Sequence, residues 1–224
     1  MIPLPKPPSD AIAPSILSAN QLCLGEQIKT VTELGASWLH IDIMDGHFVP
    51  NLSFGPATVK WINTVTTLAQ DVHLMVEDPQ KYLDAFIKAG ASSLTLHVES
   101  KGNLKALLKQ IKETGLSAGI SIKPDTKPQV LEDFLDIIDL VLVMTVYPGF
   151  GGQSFLENGP KQIEEVRKII AQRPIWLEVD GGINKDTVKI AKAAGANAFV
   201  AGNALFGMSD IKQAFKDLKD AVSI

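Results

Sequence analysis

Four short stretches of this chain, each at the end of an apolar run, carry the residue types that bind a divalent metal. Leu39-His40-Ile41-Asp42-Ile43-Met44 sets an imidazole and a carboxylate two residues apart. Asp71-Val72-His73-Leu74-Met75-Val76 adds a second imidazole, and Ile175-Trp176-Leu177-Glu178-Val179-Asp180-Gly181-Gly182 a second carboxylate. On a strand, residues i and i+2 point to the same face. His40 and Asp42 are therefore candidate ligands of one ion, completed by His73 and Asp180, with Met44 and Met75 beside it. Two imidazoles and two carboxylates suit Zn²⁺ or Fe²⁺, with Mn²⁺ and Co²⁺ also compatible, better than the oxygen-seeking Ca²⁺ or Mg²⁺. One such ion per subunit, held by two acids at strand ends, suggests proton chemistry next to a carbonyl.

The elements that must position these residues are legible as alternation. Eight strand-like apolar runs fall at 11–17, 37–43, 71–76, 92–98, 116–122, 139–146, 175–180 and 197–201. Several are nearly continuous, such as Leu140-Val141-Leu142-Val143-Met144, which implies burial on both faces as in a parallel sheet. Between them lie amphipathic stretches, among them Asn103–Lys112 with apolar residues on one helix face, and Pro160–Ile170 with proline at the first helical position. Gly35-Ala36, Gly90-Ala91 and Gly195-Ala196 recur between a helix and the next strand, where glycine suits the left-handed C′ position. Eight β–α units predict a single (β/α)8 barrel. A doubly wound open sheet is the alternative, but closure brings the distant ends of strands 2, 3 and 7 around one axis. The barrel is expected over 11–224, and the proline-rich residues 1–10 as an extended arm.

Several of these residues also have plainer readings. His97 reads as a core histidine or as a support behind the ligands, and His47 as a surface residue. Asp180 before Gly-Gly would also serve as a helix cap. Methionine is a common core filler, but Met44, Met75 and Met144 around one barrel mouth would also form an apolar wall that excludes water from a carbanionic intermediate.

A separate signal concerns phosphate. Gly149, Phe150, Gly151 and Gly152 follow strand 6, Gly181 and Gly182 follow strand 7, and Gly202 and Asn203 follow strand 8. Glycine lets backbone N–H groups approach an anion, and a helix N-terminus adds a favourable dipole. The loops after strands 7 and 8 are a frequent phosphate site in such barrels. Lys161 and Lys185 read as helix-surface residues.

Composition narrows the partners. The 224 residues are 46% hydrophobic and 21% charged, with a formal net charge of −4 and no long basic run, which gives no sign of nucleic-acid binding. No apolar run approaches the ~20 residues of a bilayer span, so no membrane partner is expected. Cys23 stands alone, which rules out an intrachain disulfide and fits a reducing compartment. A cytoplasmic location is expected, with a mature organellar form as the alternative.

At these residues the chain resembles the ribulose-phosphate 3-epimerase family. Ala13-Pro14-Ser15-Ile16-Leu17-Ser18-Ala19 is similar to the family's opening strand, and His40 through Asn51 to its most specific signature. Asp71–Val76, Met144–Gln153 and Glu178–Ile183 match further blocks, so the resemblance runs from about residue 11 onward. Asn203 stands where Ser or Thr is common, Asn20 where Asp is usual, and the first ten residues fall outside the pattern. The resemblance implies a metal-dependent (β/α)8 isomerase that interconverts D-ribulose 5-phosphate and D-xylulose 5-phosphate in the pentose phosphate pathway or Calvin cycle. It implies an enediolate, with Asp42 and Asp180 as acid and base on opposite faces. Ser15 and His73 would contact the substrate or an oxygen near the metal. A small phosphosugar substrate and a homo-oligomer, dimer or hexamer, are expected.

Three rivals follow. One is an epimerase of a related ketose phosphate such as allulose 6-phosphate. The others are metal-independent barrels: a decarboxylase or a non-catalytic phosphosugar-binding protein. A decarboxylase commonly carries Asp-x-Lys-x-x-Asp, and Met44 stands where that lysine belongs.

Overall fold

A computed structural model describes residues 3–7 and 10–223. Eight parallel strands occur in it: β1 Ala11–Pro14, β2 Leu39–Met44, β3 Gln70–Met75, β4 Ser93–His97, β5 Ser117–Ile122, β6 Leu140–Met144, β7 Trp176–Asp180 and β8 Ala198–Ala201. They pair in the order β1-β8-β7-β6-β5-β4-β3-β2, and a parallel bridge from Ser15 to His40 joins β1 to β2. The sheet thus closes on itself as a (β/α)8 barrel.

The helices among the described residues are α1 Leu24–Glu33, α2 Pro56–Ile62, α3 Leu83–Ala89, α4 Leu104–Glu113, α5 Gly159–Ile170, α6 Thr187–Ala193, α7 Asn203–Phe206 and α8 Ile211–Val222. Local chemistry starts them. Asn103 caps α4 by accepting from the Ala106 N–H, and Asp210 caps α8 by accepting from the Gln213 N–H. Gly90 ends α3 in the left-handed conformation, φ 96°, as the Gly-Ala repeat predicts.

Two elements differ from the sequence expectation. Strand β1 ends at Pro14 rather than 17, because Ser15 caps a short 3₁₀ turn, Ile16–Ser18, and turns the chain out of the sheet. The β5–β6 crossover carries a 3₁₀ segment, Pro128–Asp133, in place of an α-helix. It starts at a proline and still buries Leu131.

Alternation along each strand splits the apolar residues into two cores. Leu39, Ile41, Ile43, Val72, Leu74, Leu94 and Leu96 belong to the core between barrel and helices. Trp38, Leu140, Leu142, Met144, Trp176, Ala198 and Val200 fill the interior with Ala11, Ala13 and Leu4. Of the expected N-terminal arm, residues 1, 2, 8 and 9 lie outside the described residues. Residues 3–7 have no regular structure. Leu4 is buried, its N–H donates to Ser117 Oγ at 3.0 Å, and the Pro5 carbonyl accepts from Trp176 Nε1 at 2.7 Å. The arm therefore contacts the beginnings of β5 and β7, at the end of the barrel opposite the strand C-termini.

Candidate metal centre and phosphate loops

The even positions of β2 and the odd positions of β3 put His40, Asp42, Asp71 and His73 inside the barrel. Register sets His40 beside Asp71, Asp42 beside His73, and Met44 beside Met75. Barrel closure then brings in Asp180 from the C-terminal end of β7. Ligand atoms of His40, Asp42, His73 and Asp180 all lie within 4.8 Å of one another. The four candidate ligands are thus brought together, as the sequence pattern anticipates.

Each imidazole is held at its far side. His40 Nδ1 lies 2.8 Å from Asp71 Oδ2, and His73 Nε2 lies 2.9 Å from His97 Nε2. His40 Nε2, by contrast, is buried with no hydrogen-bond partner and stands 3.4 Å from Asp42 Oδ1. An orphaned imidazole nitrogen beside two carboxylates and a second imidazole fits the donor set of a Zn²⁺- or Fe²⁺-type ion. An outer carboxylate on the opposite nitrogen is the usual support for such a ligand. On the Asp42 carboxylate, Ser15 Oγ donates to Oδ2 at 2.7 Å, and His73 Nδ1 is 3.2 Å from Oδ1.

Burial works against every charge here, and neighbours decide the result. Burial disfavours the His40 imidazolium, but the Asp42 and Asp71 charges overcome it and raise His40 well above its ordinary value. Burial likewise opposes ionisation of Asp42, and His40 and His73 together hold that carboxyl well below the usual range. His73 is lowered, by burial first, against the pull of Asp42. Burial pushes His97 down to about 4 despite its bond to Glu99. Asp180, withdrawn from bulk water and facing the Asp42 charge, is pushed up to about 7. Two carboxylates in one pocket with pKa values driven apart are the pattern expected of an acid–base pair.

Above the cluster opens a cavity of about 520 Å³. Met44, Met75 and Met144 line it, each almost fully buried, together with Ser15, Asp42 and Asp180. Gly149, Phe150, Gly151, Gly152, Gly181, Gly182, Gly202 and Asn203 form its other wall, so the three glycine loops converge on one space. The backbone there is tight. Gly182 has φ 66°, and a Cβ on it would lie 2.2 Å from Phe155 N. Only glycine fits such a close approach of loops after β6 and β7.

The residues that spacing did not single out are mostly supports. Asp71 and Glu178 each stand two residues before a candidate ligand on the same strand face, so period-two alternation was the available signal. Glu178 accepts from Trp38 Nε1 at 3.1 Å. Ser18, Asn184 and Thr187 also line the cavity, and nothing in their sequence spacing marks them. His97 is buried, with its Nε2 2.9 Å from His73 Nε2, and His47 is exposed on the loop after β2.

The sequence pattern of the ribulose-phosphate 3-epimerase family matches residues 11–206. A ribulose-phosphate 3-epimerase of Bacillus subtilis (strain 168) is 47% identical over 211 residues, 93% of this chain and 97% of that protein. A chloroplastic ribulose-5-phosphate-3-epimerase of Arabidopsis thaliana is 46% identical over 93% of this chain and 75% of its own length. Among solved structures, KGPDC from Streptococcus mutans superposes with a TM-score of 0.73 at 14% identity, covering 96% of this chain and 98% of that one. A 3-hexulose-6-phosphate synthase gives 0.68 at 17% identity, covering 95% and 99%. At those identities the structural matches establish the fold alone.

Proposed function

This chain belongs to the ribulose-phosphate 3-epimerase family and is an isomerase, and from that premise we propose that it interconverts D-ribulose 5-phosphate and D-xylulose 5-phosphate by metal-dependent inversion at C3. The observation that carries the chemistry is the meeting of His40, Asp42, His73 and Asp180 at the floor of a cavity walled by three glycine loops.

The two imidazoles and two carboxylates would hold one divalent ion, Zn²⁺ or Fe²⁺ by donor type. When bound, that ion supplies Lewis acidity that stabilises negative charge on adjacent substrate oxygens. The residues do the rest. Backbone N–H groups at Gly151, Gly152, Gly181, Gly182, Gly202 and Asn203 would take the phosphate, which orients C3 over the acids. Asp42 would remove the C3 proton from one face, leaving an enediolate. Asp180 would return a proton to the other face. Inversion needs two groups, because a single base on one face would regenerate the same stereocentre. In the reverse direction the roles exchange. Ser15 steadies Asp42 through their hydrogen bond. The methionine wall keeps water from the carbanionic intermediate without adding charge.

Barrel residues 11–224 would form the catalytic unit, with 1–10 as an appended arm. A homo-oligomeric state rests on the family resemblance. No helix among the described residues is long and apolar enough to cross a membrane. A chloroplastic relative and several bacterial ones support either an organellar or a cytoplasmic setting.

The test is metal analysis of protein purified without chelator, with turnover measured on D-ribulose 5-phosphate and D-allulose 6-phosphate. The expected result is bound divalent metal, activity lost on chelation, and preference for the pentose phosphate. Preference for the hexose phosphate, or full activity without metal, would overturn the reading.

A further inference from the structure

A line of three side chains leads away from the candidate metal position. His73 turns Nδ1 toward Asp42 and Nε2 toward His97 Nε2, 2.9 Å away. His97 Nδ1 lies 3.0 Å from Glu99 Oε2. The other Glu99 oxygen accepts from the Lys123 N–H at 2.9 Å and from the Thr126 hydroxyl. His97 is fully buried, and Phe48 covers it at 4.8 Å between ring centroids.

The direction of the protons follows from what each group can do. A carboxylate only accepts, so His97 Nδ1–H donates a hydrogen bond to Glu99 and keeps its proton. A neutral His97 then offers Nε2 as an acceptor. Two ring nitrogens 2.9 Å apart need one donor, so His73 must donate from Nε2. A neutral His73 protonated on Nε2 keeps its lone pair on Nδ1, the nitrogen that faces Asp42. The reverse order, with His97 donating to His73, would move the His73 proton to Nδ1 and block it as a ligand atom.

We infer that His97, anchored by Glu99, is a positioning residue that selects the Nδ1-ligating tautomer of His73. The inference rests on the metal reading of His40, Asp42, His73 and Asp180. It also accounts for an asymmetry between the two imidazoles. His40 is backed directly by a carboxylate, Asp71, whereas His73 is backed by a neutral ring with its carboxylate one residue further out. A neutral acceptor orients the ligand while adding no charge beside the ion.

The experiment uses the full chain labelled with ¹⁵N-histidine and loaded with Zn²⁺. Long-range proton–nitrogen spectra should show His73 protonated on Nε2 only. Competition with a chromophoric chelator should show Zn²⁺ bound about 10–100-fold more weakly by His97→Phe, the range for loss of an outer support. His97→Gln, whose carbonyl can reach the acceptor position, should recover most of that loss. A His73 protonated on Nδ1 in the loaded wild type would overturn the inference, whatever the variants do, including a His97→Phe that does not fold. So would wild-type affinity in a folded His97→Phe, or a glutamine variant no better than phenylalanine. A wild type that binds no Zn²⁺ would overturn the ligand reading and this inference together, whereas normal binding that ignores residue 97 would overturn this inference alone.

Discussion

Ser15 Oγ donates a 2.7 Å hydrogen bond to Asp42 Oδ2 and accepts the Leu17 N–H at 3.3 Å. One hydroxyl thus caps the turn that ends β1 and fixes a carboxylate on β2. The same chain exit that stops the strand early puts this hydroxyl on the carboxylate proposed as a base.

Ser15→Ala should therefore cost stability as well as rate. A buried hydrogen bond to a charged group contributes about 1.5–3 kcal/mol. Denaturant unfolding should show a loss in that range, and kcat should fall while KM changes little. A raised KM with intact kcat would instead make Ser15 a direct substrate contact.

Asp42→Asn and Asp180→Asn should separate the two faces of the reaction. Neither should epimerise at more than about a hundredth of the wild-type rate, since general bases contribute roughly 10²–10⁴-fold. In deuterated water Asp180→Asn should still exchange the C3 hydrogen of the epimer that Asp42 faces, and Asp42→Asn that of the other. Equal washout from both epimers in either variant would show one base reaching both faces.

Metal binding should release protons in a pH-dependent way. Burial and the Asp42 charge raise Asp180 to about 7, so below that pH the metal-free protein holds a proton there. In the unfolded chain this acid ionises above about pH 4 while the folded protein holds its proton to about 7, so its contribution to metal-free stability falls as pH rises from about 4 to 7. An incoming cation must displace the proton. Calorimetry in buffers of different ionisation enthalpy should show the release shrinking from pH 6 to pH 8. The decline should vanish in Asp180→Asn. An unchanged decline in that variant would assign the proton elsewhere.

Gly182→Ala should damage phosphate binding out of proportion to one methyl group. The left-handed conformation alone costs an L-residue about 1–2 kcal/mol, and the added Cβ would meet Phe155 N at 2.2 Å. The loops after β6 and β7 must part, so KM for substrate and the inhibition constant of inorganic phosphate should both rise at least about tenfold. Unchanged values for both would place the phosphate away from this wall.

Local periodicity alone carries much of this protein. Alternation with period two places His40 with Asp42, Asp71 with His73 and Glu178 with Asp180, because pleating sends every second side chain to one face. The continuous apolar runs and the Gly-Ala repeats mark a parallel sheet with crossovers, and the observed strands follow those runs closely. The β5–β6 crossover shows the limit of that reading, since tertiary packing there keeps a 3₁₀ segment that still buries Leu131. What residue spacing could not decide is which atoms meet. Ser15 reaches Asp42 only because the barrel closes between β1 and β2. The orphaned Nε2 of His40, the Asp42 charge acting on Asp180, and the proton direction through Glu99, His97 and His73 depend on distances between different strands. Those distances are set by sheet closure and register, which bring together residues as far apart in the chain as Ser15 and Asp180, and no spacing within one segment encodes them.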